Sequence, residues 1–131
     1  MQLSKFTDYA FRALIYLAKN QSENCTVDKL ADELNISTHH LKKVINKLAK
    51  TEYIISTKGR NGGLKLGLLP EEINLGKVLL LTEENLSLVE CMHKSGVCPL
   101  INNDCKLKNI ICKSLNEFLK EMSNFTLRDI I

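Results

Sequence analysis

Cys91, Cys98 and Cys105 stand at even spacing, six residues between each pair, in a stretch full of residues that break regular structure. Thiolates are the soft ligands that iron–sulfur clusters and zinc select, so three sulfurs brought together would hold either. On an unbroken helix this spacing would stack the sulfurs on one face. Pro99, however, removes a backbone donor and disfavours helix at Cys98, and Gly96 and the run Asn102-Asn103-Asp104 are further breakers. The stretch is therefore predicted to be a loop that can converge its thiols. The competing role of any one of these cysteines is that of a small buried apolar residue. Cys25, at a turn, and Cys112, at the edge of an apolar stripe, are read as non-ligands.

The total of five cysteines is odd, and the opening MQLSKFTDYAF lacks the basic, apolar, small-residue order of a signal peptide. No apolar run approaches the roughly 18 residues of a membrane span. A cytoplasmic protein without a membrane partner is expected, and a reducing compartment leaves metal binding, redox sensing or burial for the thiols.

Positioning these residues falls to a chain of 131 residues, 44% hydrophobic, enough for one core and an appended arm. Residues 1–70 carry 11 Lys and Arg against 6 Asp and Glu, and residues 71–131 carry 7 against 9. The basic excess lies wholly in the front, as it would if that half met a polyanion.

Apolar residues at Phe6, Ala10, Ala13, Leu14 and Leu17 predict a first helix from Leu3 to about Lys19, with Asp8 and Arg12 four apart on its exposed side. Thr26 caps a second helix (Val27, Leu30, Ala31, Leu34), Asn35 ends it, and Ser37 caps a third (Leu41, Val44, Ile45, Leu48). That is the helix-turn-helix plan with the third helix as reader. Ser37, Thr38, His39, His40, Lys42 and Lys43 at its start suit base edges and phosphates.

The β-prone Tyr53–Thr57, the turn Lys58-Gly59-Arg60-Asn61-Gly62-Gly63 and the alternating Leu64–Leu68 predict a hairpin wing. Lys58, Arg60 and Asn61 at its tip, beside glycines, suit close approach to a minor groove. A helix from about Leu75 to Glu84 follows. Last comes a long helix from Lys106 with a wide stripe of Leu107, Ile110, Ile111, Leu115, Phe118, Leu119 and Met122. A small domain leaves such a stripe little to cover, so it is expected to pack on a second copy and give a homodimer with two reading helices.

The expected fold is mostly α: a winged helix-turn-helix with a small β-hairpin wing, plus a long C-terminal dimerisation helix. Residues 1–73 would form the DNA-binding domain. Residues 74–131 would hold the cluster-binding loop, at about 91–105, and the dimerisation helix.

The segments MQLSKFTDYAFRALIYLA, STHHLKKVINKL and KGRNGGLKLG, the three-cysteine loop and the closing FTLRDII together resemble the Rrf family of winged-helix transcription regulators, over essentially the whole chain. The likeness is to the branch of that family that responds to nitric oxide. It implies a homodimeric repressor that binds a palindromic operator in double-stranded DNA and carries an iron–sulfur cluster, of 4Fe–4S type with 2Fe–2S as the alternative. On that pattern Cys91, Cys98 and Cys105 are the cluster cysteines, and the fourth ligand is Asp8, donated by the other subunit. Loss of the cluster would let Asp8 fall back onto Arg12 as a switch. Another branch uses a histidine shortly after the third cysteine, where this chain has Lys108, whose ammonium cannot ligate. Of Thr38-His39-His40, only His40 fits the usual start of the reading helix.

Two other readings of the residues remain. One is a cluster-free regulator of the same fold that uses its thiols as a redox switch or to bind zinc, with Lys94 and Lys106 supplying positive potential. The other is an electron-transfer protein. Against it, and against an enzyme subunit, the sequence has neither ferredoxin cysteine spacing, a phosphate-cradling loop followed by Lys-Ser/Thr, nor a nucleophile motif.

Overall fold

The computed structural model describes residues 1–100 and 104–131. Asn102 and Asn103, two of the predicted loop breakers, lie outside the described residues.

Helix α1 (Lys5–Lys19) begins at Ser4, whose hydroxyl oxygen accepts from the Thr7 amide at 3.2 Å, two residues later than the apolar spacing alone predicted. It buries Ala10, Ala13, Leu14 and Leu17 completely or nearly so. Helix α2 (Val27–Leu34) is capped by Thr26 and stopped by Asn35 at φ 52°, a left-handed conformation that asparagine tolerates. After the turn at Ile36, Ser37 caps α3 (Thr38–Ala49), which turns Leu41, Val44, Ile45 and Leu48 into the core.

Strands β1 (Ile54–Thr57) and β2 (Gly63–Leu66) pair antiparallel from Ile54 opposite Leu66 to Thr57 opposite Gly63. Gly59 at φ 101° allows the turn, which closes when the Gly62 amide donates to the Gly59 carbonyl at 2.9 Å. Cys25 forms an isolated antiparallel bridge to Leu64 on the side of β2 away from β1. Its carbonyl accepts from the Leu64 amide at 2.7 Å, so the residue before α2 is tied to the wing and is not a free turn.

Asn74 caps α4 (Leu75–Thr82). This helix ends short of Glu84, with the Thr82 hydroxyl turned back onto the Val78 carbonyl at 2.9 Å. Beyond it, among the described residues, the chain is irregular apart from a 3-10 turn over Glu90–Met92, until α5 (Lys106–Met122).

The chain then returns to its own core. A further 3-10 turn (Leu127–Ile130) buries Leu127 completely, and the Leu127 amide donates to the Ile73 carbonyl at 2.8 Å. The Leu75 amide donates to the Phe125 carbonyl at 3.0 Å, and Asn74 Nδ2 to the Ser123 carbonyl at 2.7 Å. Gly76 lets α4 lie against this strap, since a Cβ there would stand 2.9 Å from the Ser123 Cα.

One core results, with Leu14, Leu30, Leu41, Leu48, Ile54, Ile73, Val78 and Leu127 at its centre. Helix α5 leans on α4 yet has no buried residue of its own. Among the described residues no helix is long and apolar enough to cross a membrane.

Candidate DNA interface and candidate metal-binding segment

The 3.6-residue period that sends Leu41, Val44, Ile45 and Leu48 inward leaves the other face of α3 to solvent. On it stand His39, His40, Lys42 and Lys43, all exposed, with Thr38 half-buried at the start and the exposed Ser37 as cap. The rings of His39 and His40 are 5.9 Å apart at a 51° tilt. The same face continues through Asn46, Lys47 and Lys50, which the sequence analysis did not single out. Extending the period by one turn from Lys42 and Lys43 reaches Asn46 and Lys47, and by two turns Lys50. Helix α3 contains no acidic residue, so its outward face is uniformly basic or neutral. Lys58, Arg60 and Asn61 are exposed at the wing tip. The hairpin presents them on backbone that cannot carry bulk, since a Cβ at Gly62 would strike the Thr57 carbonyl. A reading helix and an arginine-tipped wing on one rigid core can engage adjacent grooves of a duplex.

All five cysteines are free. Cys25 is 1% exposed, its sulfur sits over the Thr26 carbonyl at 3.6 Å, and burial pushes its thiol up from the ordinary range. It belongs to the hydrophobic core, where burial makes a thiol unreactive. Cys91, Cys98 and Cys105 are all half-exposed, and so is Cys112 on α5.

Two of the three have defined settings. Cys91 sits within the 3-10 turn Glu90–Met92 rather than in wholly irregular chain. Cys105 is the N-cap of α5, its sulfur accepting from the Lys108 amide at 3.4 Å. Donation from the first turn of a helix suits a sulfur that carries negative charge, as a metal-bound thiolate does. Gly96 closes the turn after Cys91, its amide donating to the His93 carbonyl at 3.0 Å.

Asp8 lies half-exposed on α1, paired with Arg12 at 2.8 Å. Among the described residues, no three Cys, His, Asp or Glu side chains of one chain are grouped closely enough to hold a metal ion. The donor chemistry fits iron or zinc, since three soft ligands are free and reachable.

A family model described as Rrf2, iron-dependent transcriptional regulator, matches residues 3–131. A protein of Bacillus licheniformis named HTH-type transcriptional regulator NsrR is 42% identical over 132 residues, spanning 100% of this chain and 92% of that protein. The fold is similar to that of CymR, the global cysteine regulator of B. subtilis (TM-score 0.76, 23% identity, 99% of this chain and 95% of that one). It is also similar to T. potens IscR (TM-score 0.78, 19% identity, 99% and 85%).

Proposed function

We propose, on the premise that the chain belongs to the Rrf2 family of iron-dependent transcriptional regulators and is a DNA-binding regulator rather than an enzyme, that it is a homodimeric repressor controlled by nitric oxide through an iron–sulfur cluster. The observation that carries this reading is the contrast between the cysteines. Cys25 is sealed in the core, whereas Cys91, Cys98 and Cys105 are free and reachable, and the last of them is held as the cap of α5.

In this reading Cys91, Cys98 and Cys105, with Asp8 of the partner subunit, hold the cluster, of 4Fe–4S type with 2Fe–2S as the alternative. The cluster supplies a redox- and nitric-oxide-reactive iron centre. With three ligands on one chain and the fourth on its partner, the site would tie one subunit to the other. In that set the carboxylate of Asp8 would be the hard, weakly held member and the one most readily displaced. On leaving, it meets Arg12 four residues away, and α1, packed against α3, carries the change to the reading helix. Repression then depends on reciprocal coupling between iron and operator.

The division of labour follows. Residues 1–73 read a palindromic operator through Ser37, Thr38, His39, His40, Lys42 and Lys43 in the major groove or on its phosphates, with Lys58, Arg60 and Asn61 at the minor groove. Residues 74–131 hold the cluster and the second copy. Support for the second copy comes from α5, where Leu107, Ile110 and Phe118 are 64%, 63% and 43% exposed. Beside it lies a hollow of about 400 Å³ lined by Leu3, Leu86, Leu88, Leu115 and Phe118. Apolar surface of this kind marks an interface.

The test is iron and sulfide content with visible absorbance on protein purified without oxygen, followed by nitric oxide titration against operator binding. A brown protein with about four irons and four sulfides per chain, losing DNA affinity on titration, is expected. A colourless protein after anaerobic reconstitution would leave a thiol- or zinc-responsive regulator.

A further inference from the structure

We infer that Glu83 is a positioning residue that holds the first turn of α1, and hence Asp8, in register with the cysteine-bearing segment. This rests on the assignment of Asp8 proposed above. In a complete capping box, the residue at the N-cap accepts from the third helical amide, and a Glu or Gln at that third position reaches back to the N-cap amide. Here Ser4 does its half, but the third position is Thr7, which has no acceptor long enough to return the bond.

The missing acceptor comes from the far end of α4. One oxygen of Glu83, Oε2, accepts from the Ser4 amide at 3.0 Å, the Ser4 hydroxyl at 3.0 Å and the Thr7 hydroxyl at 2.7 Å. Thr7 is fully buried, and its hydroxyl has the Glu83 carboxylate at 2.7 Å and the Ser4 hydroxyl at 3.1 Å as partners. Partial burial alone would push the Glu83 carboxyl up. The Thr7 and Ser4 hydrogen bonds together outweigh it and hold the group below the ordinary carboxylate range.

Asp8 follows directly, its amide donating to the Ser4 carbonyl at 3.0 Å, so the turn that Glu83 secures is the turn that aims the carboxylate of Asp8. On its other side, Glu83 is the last residue tied into α4, with its amide donating to the Leu79 carbonyl, and the chain beyond it runs on to Cys91. Along the chain from Cys91 back toward the core, Glu83 is the first residue tied into α4. Through Glu83 that path reaches the helix that carries the proposed fourth ligand of the neighbouring subunit.

The experiment uses full-length Glu83→Gln, which keeps the size and loses the charge, with Thr7→Val and Thr7→Ser as a pair differing in the hydroxyl. Two quantities are read. One is hydrogen exchange at the Thr7 and Asp8 amides in metal-free protein. The other is the ratio of operator affinity between iron-loaded and chelator-stripped protein. Glu83→Gln and Thr7→Val should exchange those amides about tenfold faster and shrink the ratio by about fivefold or more, while Thr7→Ser stays with the parent. A residue that merely stabilised the fold would lower the melting temperature and leave the ratio unchanged. A parent with no difference between its two forms sinks the proposed function itself. A parent with the difference, and variants that keep both the ratio and the slow amides, sinks the role of Glu83 alone.

Discussion

Asp8 and Arg12 meet one helical turn apart on α1, carboxylate to guanidinium at 2.8 Å, with their side chains 46% and 52% exposed. An ion pair this open contributes no more than about 0.5 kcal/mol. Arg12→Ala should therefore leave urea denaturation almost unchanged. Asp8→Ala should be equally mild for stability, yet abolish the response of operator binding to nitric oxide. An unaltered response would remove the aspartate from the switch.

Along α3 the exposed lysines extend beyond the helix start. Replacing Lys42, Lys43 or Lys47 by Ala should weaken binding to every duplex alike and reduce the slope of log affinity against log salt by about 1 for each phosphate no longer neutralised. Arg60→Ala should behave differently, costing more on A·T-rich flanks, where the narrow groove is most negative. Titrations on matched A·T-rich and G·C-rich duplexes separate the two, and an equal loss on both would place Arg60 outside the minor groove.

The carboxyl of Glu83 gives stability a direction with pH. A group whose folded value is depressed contributes fully above its unfolded value and loses that contribution as pH falls through the folded one. The parent should thus be more stable than Glu83→Gln at neutral pH, and the difference should fade as pH drops below the ordinary carboxylate range of about 4. Denaturation curves of both proteins between neutral pH and pH 3 check this. A gap that widens in acid would contradict the assigned hydrogen bonds.

If α5 seats a second copy, a charge on its open face should be felt in assembly and not in folding. Ile110→Asp is expected to keep the helical content of the parent and to sediment as a monomer where the parent sediments as a dimer. Sedimentation velocity decides. A parent already monomeric would leave the stripe without its proposed partner.

What the sequence made legible was whatever is decided within a few residues. Ser37 and Thr26 as caps, Asn35 as terminator and the glycine-rich turn at Gly59 follow from local backbone chemistry, and each stands where the residue types put it. The inward faces of α1 and α3 followed from period alone. Hidden from that reading were the relationships spanning long stretches of chain: Cys25 against Leu64, Asn74 against Thr126, and Glu83 against Ser4 and Thr7. No local signal marks them, because Glu83 looks like any solvated acid until α1 and α4 are side by side. The cysteine segment was legible as broken chain, but not as chain that places Cys91 in a 3-10 turn and Cys105 on a helix end.

The strap that returns from α5 to Ile73 and Leu75 has a consequence for how this molecule comes apart. Because α5 is held at its far end by Leu127 and by the backbone bonds of Phe125 and Ser123, the covalent path through residues 84–104 is not what keeps it in place. A protease that cut after the exposed Lys94 would yield two fragments on a denaturing gel that still travel as one particle in native buffer. The close approach of Gly76 to Ser123 is thus part of what fastens α5 to the core, independently of the segment that carries the cysteines.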